Sequence, residues 1–386
     1  MLLFVTVVGL GVWFYLAYFA VPGAALERAE AFLFRRMTVA QLGEQGTYRF
    51  FFATNRADSG SDAPMLERFG AERAEALKYG YFDTRIEPNL GLGMLINPTQ
   101  WFQDEEIRIE TVQPLERTDF VAELSDQVEA SPRGSLLVVV HGFRERFPSA
   151  LRKTAFIGHV LDINSPVLLF DWPGNQGSSP RGYLRAREVA EASGAELAAT
   201  LRLVIDEIDP DRLWLFANSL GAQVVADAFG ILYQDQSFAD AEVEFEDVVL
   251  TAPDVDHAAF DERFKDEVLA LADKLTVYVS SNDRALVLSR IINRSPRRGE
   301  STLSPDQLEE AIRIAELIEP GEDHMDLIDV TPVNRTRNFH SFSLETPEFF
   351  DDLYLRLANS EVPDSRLLYQ IKTEDGEVYW VLTRGR

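Results

Sequence analysis

Leu213-Trp214-Leu215-Phe216-Ala217-Asn218-Ser219-Leu220-Gly221 is the stretch whose reading decides the fold. Its first four residues form a continuous apolar run, as in a strand buried on both faces. Residues 221–233 continue with helical composition. Between the two, Ala217, Ser219 and Gly221 have the small-x-Ser-x-Gly spacing of a nucleophile elbow. A serine at the apex of a strand–turn–helix sits on a sharp, strained turn, so its neighbours must be small. Gly221 meets that need fully and Ala217 less well than glycine would. The start of the following helix adds partial positive charge where an oxyanion would form. The same residues also read as an ordinary N-cap Ser or Asn, so the rest of the chain has to decide.

Outward from this point the pattern repeats. Strands are predicted over 136–140, 167–170, 213–216, 248–250, 275–279 and 327–330. Helices are predicted over 147–162, 183–208, 221–233, 257–273 and 346–358. Strands alternating with helices of ten or more residues make right-handed crossovers and a mostly parallel, doubly wound α/β sheet. Before this region, 47–54 and 107–112 read as strands and 57–63 as a loop. Residues 295–322 read as a charged insertion with a helix at 305–318. Residues 367–372 and 377–382 flank Glu374-Asp375-Gly376, the signature of a C-terminal β-hairpin.

The chemistry is read from loops at strand ends, where such sheets place their sites. Val138-Val139-Val140-His141-Gly142-Phe143 is a buried strand running into a turn. In the α/β-hydrolase layout one backbone N–H of the oxyanion hole comes from such a loop, and the other from the residue after the nucleophile. Phe143 and Leu220 are those donors. His141 precedes the elbow and is read as a structural histidine beneath the loop. The chain order Ser, acid, His leaves the late histidines as bases: His340 stands beyond the last core strand, with His257 and His324 behind it. Asp283 and Asp254 both follow strands; we take Asp283 as the acid and Asp254 as the alternative. Either also reads as a helix N-cap.

These segments, in order, resemble a family. Phe52-Ala53-Thr54-Asn55-Arg56, Lys78-Tyr79-Gly80-Tyr81, Val139-Val140-His141-Gly142-Phe143 and Phe170-Asp171-Trp172-Pro173-Gly174 precede the Ser219 elbow. Ala252-Pro253-Asp254-Val255-Asp256, Tyr278-Val279-Ser280-Ser281-Asn282-Asp283 and His340-Ser341-Phe342 follow it. The chain is similar to the bacterial α/β-hydrolase family of undefined role, with esterase/lipase superfamily-type enzymes. The resemblance implies an α/β-hydrolase fold, Ser219 as nucleophile, His340 as base and Asp283 as acid. Family members usually place His before the nucleophile and Met after it; Asn218 and Leu220 stand there in this chain.

Composition bounds the partners. The chain has 386 residues, 46% of them apolar, which is enough for a large core and excludes global disorder. With 37 Lys+Arg against 63 Asp+Glu the net charge is −26, which excludes nucleic acid as a partner. There is no Cys, hence no thiolate metal site and no Cys nucleophile. Asp254, Asp256, His257 and Asp261 read as a solvated loop and helix start rather than a metal site, and no cofactor is expected. From Met1 to Leu26 there is no charged residue and no His. About 20 apolar residues span a bilayer, so 1–22 reads as a single transmembrane anchor, with a cleaved signal peptide as the competing reading. Arg28, Arg35 and Arg36 follow the span, and the positive-inside rule then favours a cytoplasmic domain at a bacterial inner membrane. The organisation expected is an anchor at 1–22, a juxtamembrane segment at 23–46, a hydrolase domain at 47–358 and a C-terminal extension with the hairpin at 359–386. The function expected is a membrane-anchored serine hydrolase acting on a carboxylic ester or related acyl substrate. The alternative is an α/β-hydrolase-fold binding or scaffolding module with weak or no catalysis.

Overall fold

The computed structural model describes residues 40–42, 46–60, 62–86, 107–235, 244–255, 264–280, 325–334, 342–358, 368–372 and 378–383. Its strands are β1 Thr47–Asp58, β2 Phe69–Ile86, β3 Ile107–Leu115, β4 Ser135–Val140, β5 Val167–Asp171 and β6 Arg212–Asn218. They continue with β7 Asp247–Thr251, β8 Leu275–Val279, β9 Met325–Asp329, β10 Leu368–Lys372 and β11 Val378–Leu382. The helices are α1 Met65–Arg68, α2 Arg117–Ala130, α3 Phe147–Leu161, α4 Pro180–Leu203, α5 Gly221–Tyr233, α6 Lys265–Leu269, α7 Phe342–Glu345 and α8 Pro347–Ala358.

All the strands join one sheet, ordered β10-β11-β9-β8-β7-β6-β4-β5-β1-β2-β3. The eight strands from β11 to β1 run parallel. β2 and β3 close one edge antiparallel, and β10 closes the other. Alternate residues of β4 feed opposite cores. Leu136, Val138 and Val140 pack with the α2, α4 and α5 side chains, including Phe120, Leu197 and Phe229. Leu137 and Val139 pack with α3 and α8, including Phe156 and Phe349. Burial on both faces is why β4 reads as an unbroken Leu/Val run.

The doubly wound parallel sheet agrees with the sequence reading, and most elements agree to within a few residues. α4 starts at Pro180 instead of Tyr183, because Ser179 Oγ accepts the Gly182 N–H at 3.1 Å and proline suits the first helical turn. The helical chain widens to a π turn over Val204–Ile208. β1 runs to Asp58, into the expected loop. β2 and α2 were not anticipated, nor were the short α1 and α7. β2, 18 residues long, carries Glu72, Arg73, Lys78, Asp83 and Arg85, whose charges mask its alternation. α2 follows β3 directly.

The hairpin at the C-terminus forms, and it does more than extend the chain. β11 pairs in parallel with β9 through Trp380–Ile328 and Val381–Asp329, so the expected boundary at residue 358 does not divide the sheet. The expected anchor at 1–22, the helix at 305–318, the helix start at 257–263 and the turn at 374–376 lie outside the described residues. Among the described residues no helix is long and apolar enough to cross a membrane.

Candidate active site

Ser219 closes β6 and opens α5 in the left-handed region, at φ 53°. A β-carbon there costs strain, and such strain concentrates at functional positions. Three main-chain bonds hold it. Ser219 N–H donates to Thr251 O at 2.9 Å, and Ser219 O accepts from Ala222 N at 3.0 Å and Asp254 N at 3.1 Å. The turn fits because its neighbours are small. A Cβ on Gly221 would lie 2.6 Å from His141 O and 2.8 Å from Val140 O. Ala217 is fully buried in β6 and is accommodated there. Asn218 sends its side-chain N–H groups to Thr251 Oγ1 and Ser343 Oγ, each at 3.0 Å. This polar bridge occupies the position where the resembling family has His.

The loop after β4 lies against this turn. A Cβ on Gly142 would meet Asn218 O and the Ser219 Cβ, both at 3.0 Å. Phe143 follows at the next position. Leu220, fully buried, begins α5, whose N-terminal end carries the partial positive charge of a helix start. The structure therefore brings together Ser219, Leu220 and the Gly142–Phe143 turn. Behind the turn a small cavity is lined by His141, Gly142, Glu145, Lys153, Asn218 and Ser343. Burial pushes the Glu145 carboxyl up, but its ion pair with Lys153 outweighs that and holds it below the usual carboxylate range.

His141 takes the structural part expected of it. Its Nε2 lies 3.1 Å from Asp171 Oδ1 and its Nδ1 2.9 Å from Gly142 O. The ring stacks on Trp172, whose indole N–H donates to His141 O at 2.8 Å. Asp171 also accepts from Thr54 Oγ1 at 2.6 Å and Arg56 Nε at 2.7 Å. Burial raises the Asp171 pKa, but the attraction of Arg56 and His141 prevails and leaves it below the ordinary value. Of the Phe52–Arg56 segment, Asn55 bonds Ser193 Oγ of α4 at 2.9 Å. The sequence reading assigned no role to Thr54, Arg56, Asp171 or Tyr183; the only signal for the first three was their presence in segments that carry the family resemblance.

Asp254 lies beside the elbow at the end of β7. It is buried, and its Oδ2 accepts the Tyr183 hydroxyl at 2.8 Å. Tyr183 in turn meets Phe143 edge-on, with ring centroids 5.6 Å apart. Asp283, His340, His257 and His324 lie outside the described residues. The segment beyond His340 reaches the elbow. Ser343, three residues beyond His340, accepts from Asn218, while Ser280, after β8, is buried and accepts from Asn334 at 2.7 Å. Among the described residues no cluster of His, Asp or Glu has the makings of a metal site.

Solved structures are similar to this chain at low identity. An esterase from an Arctic intertidal metagenomic library, described as cold-adapted and zinc-bound, is 11% identical, with a TM-score of 0.37, over 82% of this chain and 97% of its own. An uncharacterized protein from Bacillus cereus is 13% identical at the same TM-score, over 59% of this chain; the match spans only 60% of that protein's length. The Est2 esterase of Thermogutta terrifontis is 14% identical, with a TM-score of 0.31, over 61% of this chain and 86% of its own. No curated protein sequence matches. The family profile described as "Alpha/beta hydrolase of unknown function (DUF900)" matches residues 116–353, which hold the elbow, the Gly142–Phe143 turn and the parallel core, and the chain belongs to that family.

Proposed function

We propose that this α/β hydrolase is a serine hydrolase that cleaves a carboxylic ester or related acyl compound. The observation that carries the proposal is Ser219 at φ 53°, fixed between a buried strand and a helix start, with the Gly142 turn packed against it. Ser219 Oγ attacks the carbonyl carbon. His340 takes its proton and later delivers it to the leaving group, and Asp283 orients the imidazole and stabilises its charged form. The N–H groups of Phe143 and Leu220 hold the tetrahedral oxyanion. The bond from Asn218 to Ser343 supports His340, because it brings the chain just beyond that residue to the elbow. Asp254 is the alternative acid, supported by its burial beside Ser219.

A fluorophosphonate probe tests this directly. Wild-type protein should be labelled at Ser219, and Ser219→Ala should lose labelling and turnover of p-nitrophenyl butyrate while keeping its melting temperature. Undiminished turnover in Ser219→Ala removes Ser219 from the mechanism. A wild type that resists labelling favours the binding-module reading.

The same proposal includes anchoring of the domain by residues 1–22 to a bacterial inner membrane, with the domain on the cytoplasmic side. Each central Leu, Ile, Phe or Val favours insertion by roughly 0.3 to 0.6 kcal/mol, and the run carries no charge. Detergent should be needed to extract the protein from membranes. Release by high salt, or a mature N-terminus mapped near Ala24, rejects the anchor.

A further inference from the structure

Arg56 is fully buried, and all five of its guanidinium N–H groups have acceptors within hydrogen-bond distance. Nε donates to Asp171 Oδ2 at 2.7 Å. Nη1 donates to Gly70 O at 2.7 Å and Asn175 Oδ1 at 2.6 Å. Nη2 donates to Glu145 O at 2.9 Å and Trp172 O at 2.7 Å. These acceptors lie on three separate segments: the start of β2, the loop after β4, and the end of β5 with the loop that follows it.

The backbone of β1 makes this possible. Pairing with β5 ends at Thr54–Asp171, and the register against β2 shifts between Thr54 and Arg56. An irregularity of this kind re-aims a side chain at the end of a ladder. Here the Arg56 N–H turns back onto Thr54 Oγ1 at 3.1 Å. The arginine then spans the gap between the two loops that leave β4 and β5.

Phe143 lies inside the clamp. Two residues before it, His141 is held by Asp171 and by the Trp172 indole. One residue after it, Arg144 N–H donates to Gly174 O at 2.9 Å. Two residues after it, Glu145 O receives Arg56. A Cβ on Gly174 would stand 3.0 Å from Gly142 O, so the two loops touch directly above the clamp.

We infer that Arg56 is a positioning residue of the oxyanion hole: it holds the 141–145 loop, and with it the Phe143 N–H, against the Ser219 turn. The inference rests on the serine-hydrolase reading above and adds a residue outside the triad. Its physical basis is preorganisation. A donor stabilises a developing oxyanion only if it is already aimed when charge forms. A loop held by its own few contacts drifts, whereas one tied to a buried fork with every donor occupied does not. Lysine cannot replace the fork, since it has three donors on a point charge and no planar geometry.

The test compares wild type with Arg56→Lys on p-nitrophenyl butyrate. Active sites are counted by fluorophosphonate labelling taken to completion, and affinity for phenylboronic acid is measured as a mimic of the tetrahedral intermediate. The expected result is a fall in kcat per labelled site of about 100-fold, the scale of losing one oxyanion donor. KM should stay within about twofold, as for an interaction made only in the transition state. Boronate affinity should weaken in parallel with kcat. Unchanged kcat per labelled site and unchanged boronate affinity overturn the proposal, even if the melting temperature falls. If Arg56→Lys does not fold, Asp171→Asn is measured instead; it loosens both Arg56 and His141, and the same outcomes decide. A wild type labelled at Ser219 with fully active Arg56→Lys rejects the role of Arg56 alone. A wild type that is not labelled rejects the nucleophile and this proposal together.

Discussion

Two buried Arg–Asp clusters stand at opposite ends of the sheet. At the C-terminal ends of the strands, Arg56 meets Asp171, and both side chains are fully buried. At the N-terminal ends, Arg356 of α8 meets Asp247 of β7 and, at 2.5 Å, Asp326 of β9. The first cluster is saturated: every Arg56 donor is used, and Asp171 lies below the ordinary carboxylate range. The second is not. Arg356 Nη2 is buried without a partner among the described residues. Burial raises the Asp247 carboxyl above its ordinary value, and Arg356 and Thr276 only partly offset it, with Asp326 adding like charge. The upper cluster ties loops to loops beside the Ser219 turn. The lower one ties α8 to the sheet, and Trp380 of β11 also donates to Asp326 at 3.1 Å. The same kind of ion pair therefore holds loops together at one end and a helix to the sheet at the other. In parallel α/β sheets function gathers at the C-terminal ends of the strands, and the two clusters divide along that line.

The comparison makes predictions of decreasing size. At the upper end, Asp283→Asn should lower kcat by roughly 10³- to 10⁴-fold, the scale of a triad acid that loses its charge. Asp254→Asn should lower it far less, because Asp254 Oδ2 is engaged by Tyr183. Steady-state kinetics on both variants decide, and the reverse ranking transfers the acid role to Asp254. At the lower end, Arg356→Met leaves Asp247 buried without its cation and should cost about 3–5 kcal/mol of stability. Urea unfolding measures that loss. Arg356→Met with Asp247→Asn should recover a large part of it, and kcat per folded site should stay at the wild-type value throughout. A loss of kcat per folded site in Arg356→Met would erase the division between the ends.

The smallest effect concerns His159, near the end of α3, whose ring packs edge-on against Tyr48 at the start of β1. Burial lowers its pKa from 6.5 to about 4. The folded state then keeps the ring neutral while the unfolded chain takes up a proton. Its contribution is whole above pH 6.5 and is lost as pH falls from there toward 4. The sum is roughly 3 kcal/mol over that window, at 1.36 kcal/mol per pH unit. Unfolding free energies of wild type and His159→Phe, from urea titrations between pH 7 and pH 4, should shift by about that amount in favour of the variant as the pH falls. Parallel pH curves would show that His159 takes no part in the acid sensitivity.

The parts of this architecture that sequence makes legible share one property: their burial is complete and local. β4, β5, β7 and β8 read as strands because both faces are covered, so nearly every residue is apolar. The Ser219 turn is legible because a small residue on each side and a helix start are local requirements. β2 was not legible, since its place near the edge of the sheet leaves charges on both faces, which breaks the apolar/polar alternation. Arg56 was not legible either. A charged residue at the end of a predicted strand looks like a solvated terminus, and only the convergence of β2, β4 and β5 loops makes it a buried hub. The hairpin at β10 and β11 was visible as a hairpin, but its parallel partner β9 lies about 40 residues upstream in the chain.

The sequence by itself determined the parallel α/β plan, the small-x-Ser-x-Gly turn at Ser219 and the Gly142–Phe143 turn beside it. Hydrophobic periodicity and turn chemistry act over a few residues and leave their mark in the order of residue types. Tertiary structure alone decided that Asp171 is the partner of His141, that Asp254 rests on Tyr183, and that Arg56 and Arg356 anchor opposite ends of one sheet. Those outcomes depend on which distant acceptors reach a given donor. A hydrogen bond spanning more than 80 residues, as from Arg56 to Glu145, has no local signature for a one-dimensional reading to find.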